Sequence, residues 1–169
     1  MIEVYGDLFN FPSPSVGAIV VTGSDLVHPA DDDHPRPYAS MGAGVSRQAR
    51  LRWPGVDEEL AETILNGNQT GACMLKWTDE ASCVVFHFLV KRVGHKTADL
   101  PTIAESARQL RDYVIELESD PDIDLGDILI PRPGCGAGGE SWARVKPVLE
   151  AILPEPRWWI IDRYEEETD

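Results

Sequence analysis

The sequence predicts a three-layer α/β/α sandwich around a mixed, largely parallel sheet of about six strands. Short β-branched runs bounded by Gly and Pro alternate with amphipathic helical segments along the chain. Two glycine-rich loops, Met41-Gly42-Ala43-Gly44-Val45 and Gly134-Cys135-Gly136-Ala137-Gly138-Gly139, each precede a helical segment. The 169 residues are 43% hydrophobic, enough for one domain with a buried core.

Residues 2–5 and 17–22 read as strands. An irregular segment follows over 23–41, punctuated by Pro29, Pro35 and Pro37. Residues 42–52 and 56–66 read as helices separated by Pro54-Gly55. Residues 71–77 and 82–90 form two strands joined by a turn near Asp79-Glu80. Over residues 100–118, Ile103, Ala107, Leu110, Val114 and Leu117 recur at helical spacing, with Asp99 as N-cap and Pro101 in the first turn. Asp127-Ile128-Leu129-Ile130 has the pattern of a buried strand. A helix runs through Trp142, Val145, Leu149 and Ile152, with Pro147 inside it. Trp158-Trp159-Ile160-Ile161 is the last strand. Residues 1–163 are therefore read as one domain and 164–169 as an acidic tail.

Composition narrows the function. The formal net charge of −14 disfavours nonspecific binding to a nucleic-acid backbone. No apolar run is long enough for a membrane span and no signal peptide opens the chain, so the expected compartment is the cytosol and no membrane partner is expected. Cys73, Cys83 and Cys135 make no C-x-x-C pair, and His28, His34, His87 and His95 show no ligand spacing. No metal and no cofactor are expected.

Glycine permits positive φ and close approach of the backbone to a ligand. A loop whose N–H groups converge at a helix N-terminus suits phosphate. Two such loops at the carboxyl edge of a parallel sheet suggest a pocket gripping a diphosphate from both sides. Gly134-x-Gly136-x-x-Gly139 formally matches a dinucleotide fingerprint, with Asp162 downstream, but Glu140-Ser141 follows Gly139 where a Walker loop needs its lysine. A tight strand-to-helix turn is the alternative reading of this loop.

Other positions carry candidate chemistry. Lys91 leaves an apolar strand beside Arg92, within a run that continues Val93-Gly94-His95-Lys96. Partial burial and an adjacent cation, if both face one pocket, favour the neutral amine that a nucleophile needs. A solvated basic turn is the alternative. Asp7, in Gly6-Asp7-Leu8, could accept from an adenine amino group or be a turn aspartate. Cys135 could be a nucleophile at a helix N-terminus or a small apolar residue beneath its loop.

Taken together, these segments resemble the macro domain, the ADP-ribose-binding family. Gly6-Asp7-Leu8 is similar to its adenine-reading turn, Met41 to Val45 to its first diphosphate loop, and Pro131-Arg132-Pro133-Gly134 through Gly139 to its second. Val90-Lys91-Arg92, Thr102-Ile103-Ala104-Glu105-Ser106 and Trp142 resemble the branch containing the terminal ADP-ribose protein glycohydrolase and the DNA ADP-ribosyl glycohydrolase antitoxins, with phage and bacterial relatives. The resemblance implies that Asp7, Leu8, Thr22, Met41, Gly42, Ala43, Gly44, Val45, Gly134, Cys135, Gly136, Ala137, Gly138 and Gly139 bind ADP-ribose. It implies that Lys91 attacks the anomeric carbon of the distal ribose, displaces a protein or nucleic-acid acceptor, and is then released from a covalent adduct. A non-catalytic ADP-ribose reader and an ADP-ribose 1″-phosphate phosphatase are the alternatives.

The chain departs from the family pattern at three places. Gly138 stands where the protein-directed member has an aspartate, which the DNA-directed members also lack. Thr22-Gly23-Ser24-Asp25 lacks the asparagines of the other hydrolytic macro domains. The insertion Pro29 to Ser40 is long and is a candidate cap over the distal ribose.

Overall fold

Cys83 to Val90 are buried without interruption, on both faces of one strand, which places that strand between two packed layers. The computed structural model describes residues 1–67, 69, 71–78, 83–93 and 95–162, without the side chains of residues 77 and 78. The turn expected at Asp79-Glu80, Gly94 and the acidic tail lie outside the described residues. The elements are β1 (Ile2–Tyr5), β2 (Val16–Ser24), β3 (Val27–His28), β4 (Tyr38–Ala39), α1 (Gly44–Arg52), α2 (Val56–Leu65), β5 (Ala72–Thr78), β6 (Cys83–Lys91), α3 (Leu100–Leu117), β7 (Asp127–Pro131), α4 (Trp142–Ile152) and β8 (Trp158–Asp162).

The main sheet has six strands in the order β1-β8-β7-β2-β6-β5. Every neighbouring pair is parallel except β5–β6. The expected mixed, largely parallel sheet is thus present. The side chains alternate between two cores, as the period of a strand requires. On one face Val84, Phe86, Phe88, Ala18, Val20, Ile128, Ile130 and Ile160 pack under α3 and α4. On the other, Val21, Val85, Cys73 and Leu75 pack with Ala49 of α1 and Leu60 of α2. A third cluster on that face joins Leu8 to Ile19, Leu129 and Ile161.

Helix α3 shows how the pattern becomes structure. Asp99 accepts the Thr102 N–H at 2.9 Å and caps the helix. Ile103, Ala107, Leu110 and Val114 are buried along one stripe. Full burial of each larger aliphatic side chain contributes about 1.5–3 kcal/mol. Helix α4 continues through Pro147 to Ile152.

The segment expected to be irregular is partly ordered. β2 extends to Ser24, and β3 and β4 form a small antiparallel hairpin. Asp31 closes it by accepting from the amides of Asp33 and His34 and from the Tyr38 hydroxyl, the last at 2.9 Å. Tyr38 stacks on His28 and His34, with ring centroids 5.1 and 3.9 Å apart. Proline hides this hairpin from a reading by local pattern, because its order comes from side-chain closure. The hairpin packs against α2. Among the described residues, no helix is long and apolar enough to cross a membrane.

Candidate functional site

Parallel strands all deliver their carboxyl ends to one rim of the sheet, and there the loops must open into a crevice. A cavity of about 640 Å³ lies at that rim. Its walls include the end of β2 (Thr22, Gly23, Ser24), the end of β6 (Val90, Lys91), both glycine loops, and Ile161 and Asp162 at the end of β8.

The first loop supplies one wall. Gly42, Ala43, Gly44 and Val45 line the cavity and lead directly into α1. Ala43 is the N-cap and makes no side-chain cap hydrogen bond, and the first turn holds no acidic residue. Among the described residues, the amides of Gly42 to Ser46 donate to no backbone acceptor; the Arg47 amide is the first to do so, at 3.1 Å to Ala43. Such a helix end presents free donors and the positive pole of its dipole. Ser46 Oγ donates to the Thr22 carbonyl and ties this loop to β2.

The second loop faces it. Gly134, Cys135, Gly136, Ala137 and Gly138 all line the cavity. Gly134 has φ of 74°, and its carbonyl accepts the Glu140 amide at 2.9 Å. The Gly138 carbonyl accepts the Ala98 amide at 2.9 Å, while the Asp99 amide bonds back to Val90 at 3.1 Å. The loop is therefore clamped to the chain just beyond Lys91. The amides of Gly136, Ala137 and Gly138 are unspent by backbone bonds among the described residues. Two loops with amides unspent by backbone bonds thus line one cavity.

Lys91 stands at the end of β6 opposite Ser24, where the β2–β6 register shifts between Gly23 and Ser24. Such irregularities re-aim side chains at sheet rims. Lys91 is half-buried and lines the cavity. Arg92 does not share that pocket; it pairs with Asp25 at 3.8 Å. The expected neighbouring cation is thereby drawn aside, because Asp25 sits at the exit of the adjacent strand.

Cys135 lies beside its loop with its thiol 3.5 Å from the Pro133 carbonyl. Burial, opposed by the Arg132 charge, pushes the thiol up to about 11. That favours the apolar reading over the nucleophilic one.

Not every expected residue reaches the cavity wall. The lining does not include Asp7, Leu8, Met41 or Gly139. Asp7 is exposed and accepts from the Phe9 amide and the Asn10 side chain, each at 2.9 Å. Leu8 and Met41 are core residues on the α1 face. Of the long insertion, only Ser40 lines the cavity.

The structure adds to the wall residues outside the expected ligand-binding set. Arg132, Glu140 and Asp162 join the wall, with Trp142 beside them. Arg132 bonds Asp162 at 2.7 Å and Glu3 at 3.3 Å, and lies 5.1 Å over the Trp142 ring. The Trp142 indole donates to Glu3 at 3.0 Å, and the hydrogen bond from Lys146 is the largest cause holding Glu3 below its ordinary range. Glu140 and Arg132 adjoin the second glycine loop in sequence, and that adjacency was the available signal. Among the described residues, no group of three or more His, Cys, Asp or Glu could hold a metal ion.

No protein-family model matches the chain, and no curated protein matches it. Solved structures do. The macrodomain of Thermus aquaticus DarG is 20% identical, with 95% of this chain and 97% of that chain covered and a TM-score of 0.71. The macrodomain of Mycobacterium tuberculosis DarG is also 20% identical, with the same coverage and a TM-score of 0.70. Thermosipho africanus DarTG, solved in complex with ADP-ribose, is 15% identical over 99% of this chain and 43% of that chain, with a TM-score of 0.69.

Proposed function

With the macrodomain fold established by these likenesses, we propose that this chain binds ADP-ribose in the rim cavity and removes it from a modified protein or nucleic-acid acceptor. One observation carries the reading: both glycine loops, with amides unspent by backbone bonds among the described residues, line a single cavity that Lys91 also lines. The amides of Gly42 to Ser46 and of Gly136 to Gly138 hold the diphosphate between them. That grip fixes the distal ribose near the Lys91 amine, so that a nucleophile of modest strength acts through position. The Lys91 nitrogen bonds the anomeric carbon, the acceptor departs, and water then frees ADP-ribose and the lysine.

The DarTG structure with bound ADP-ribose supports the ligand assignment through a shared fold. The glycine at position 138 shifts the acceptor towards a nucleic acid, because the aspartate of the protein-directed member is missing there; a non-catalytic ADP-ribose reader is the second reading.

Calorimetry with ADP-ribose, paired with hydrolysis of ADP-ribosylated DNA and protein by wild type and Lys91→Ala, separates the two. Lys91→Ala is expected to retain binding and lose hydrolysis by about 10³-fold or more. Equal hydrolysis by both proteins refutes the lysine mechanism. Tight binding with no hydrolysis by wild type establishes the reader. No binding at millimolar ADP-ribose overturns both readings.

A further inference from the structure

The titratable side chains on the cavity wall are few: Lys91, Arg132, Cys135, Glu140 and Asp162. A glycosyl transfer through an amine needs a group that takes and returns protons, and these side chains are not equally available for it. Arg132 keeps its proton at any working pH. Asp162 is committed to Arg132 at 2.7 Å. The Cys135 thiol holds its proton too tightly to exchange it near neutrality.

Glu140 differs from all of these. Its side chain is only 10% exposed, yet the residue lines the cavity. One oxygen, Oε1, is anchored by the Ser141 amide at 2.9 Å and by Arg144 at 3.1 Å. Its other oxygen, Oε2, has no protein donor among the described residues. The backbone holds Glu140 in place as well, through its amide bond to Gly134. The Gly138–Ala98 and Asp99–Val90 bonds then link this loop to the strand that carries Lys91. A carboxylate with one oxygen anchored and the other without a protein donor among the described residues therefore lines the same cavity as Lys91.

We propose that Glu140 is the acid–base catalytic residue of this site, shuttling protons between Lys91, the leaving acceptor and water. The inference rests on the glycohydrolase reading above. In the first step the Lys91 lone pair forms the Nζ–C1″ bond and the bond from C1″ to the acceptor breaks, its electron pair leaving with the acceptor. Glu140 takes the proton that Nζ sheds and delivers it to the acceptor. In the second step Glu140 takes a proton from water as the water oxygen bonds C1″. The C1″–Nζ bond breaks, its pair returns to Nζ, and Glu140 gives Nζ the proton. One water enters, ADP-ribose leaves, and both side chains are restored.

Glu140→Gln tests this directly, because glutamine keeps an oxygen to accept the Ser141 amide but cannot carry the proton. Wild type, Glu140→Gln and Lys91→Ala are compared on an ADP-ribosylated oligonucleotide and an ADP-ribosylated protein. Release rate against pH, ADP-ribose affinity, melting temperature and mass spectrometry of the enzyme are the readouts. Glu140→Gln is expected to slow release by about 10²–10⁴-fold with affinity and melting temperature unchanged. A covalent Lys91 adduct accumulates. Release by Glu140→Gln within threefold of wild type, with Lys91→Ala inactive, overturns the role of Glu140 and leaves the lysine mechanism standing. A parallel loss of affinity and melting temperature assigns Glu140 a structural role only and overturns the proposal. Wild type inactive on both substrates removes the glycohydrolase reading and this inference together.

Discussion

A Cβ placed on Gly23 would stand 2.4 Å from Nε2 of His87, so the floor of the cavity is built against a buried imidazole. Gln69 Nε2 lies 2.6 Å from His87 Nδ1 and donates to it, which leaves the ring proton on Nε2. Gly23 sits where the β2–β6 register shifts, two residues before Asp25 begins to hold Arg92. The rim geometry thus depends on a glycine that makes room for a histidine.

Burial pushes His87 down to about 4 from an ordinary 6.5. The sign follows from linkage. Between these values the unfolded chain takes up a proton that the folded chain refuses, so stability is full above pH 6.5 and is lost as pH falls towards 4. This one residue should make the protein about 1.5 kcal/mol less stable at pH 5 than at pH 6.5. Urea denaturation at both pH values, for wild type and His87→Gln, checks it. An equal pH dependence in the two proteins refutes the assignment.

The second glycine loop makes a sharper claim about one position. A Cβ on Gly138 would lie 2.6 Å from the Gly134 carbonyl oxygen and 2.9 Å from the Ala98 methyl, whereas one on Gly136 meets nothing within 4 Å. Gly138→Ala is expected to cost about 1–3 kcal/mol of stability and to weaken ADP-ribose binding with it. Gly136→Ala is expected to leave stability within about 0.5 kcal/mol of wild type. Thermal melts and calorimetry on both variants provide the comparison, and equal behaviour would refute the packing account. An acid cannot be restored at position 138 without moving this loop.

Cys135 is expected to be unreactive. With the thiol pushed up to about 11, chiefly by burial, the thiolate is about one part in 10⁴ at pH 7. Iodoacetamide at that pH should label it far more slowly than it labels free cysteine, and Cys135→Ser should keep full binding of ADP-ribose. Rapid labelling that abolishes binding would reinstate the nucleophilic reading.

Most elements of the sandwich were legible from local pattern. Ile103, Ala107, Leu110 and Val114 announce α3 by their spacing, and Asp99 marks its start. Both glycine loops stand out because positive φ and close backbone approach leave few alternatives to glycine. Other features were not legible. The β3–β4 hairpin is closed by Asp31 and the stacked Tyr38, an arrangement that no apolar period records.

The amino-acid sequence by itself determined which segments become strands and helices and which loops free their amides, since short-range periodicity and backbone sterics govern both. Only the tertiary structure decided who shares the cavity. Arg92 looked like a partner for Lys91 until Asp25 claimed it, and Met41 went to the core. Asp162 meets Arg132 on the wall because the strand order sets β7 beside β8. Pairings across such distances in the chain depend on how the sheet is assembled, and nothing within a few residues of either partner encodes them.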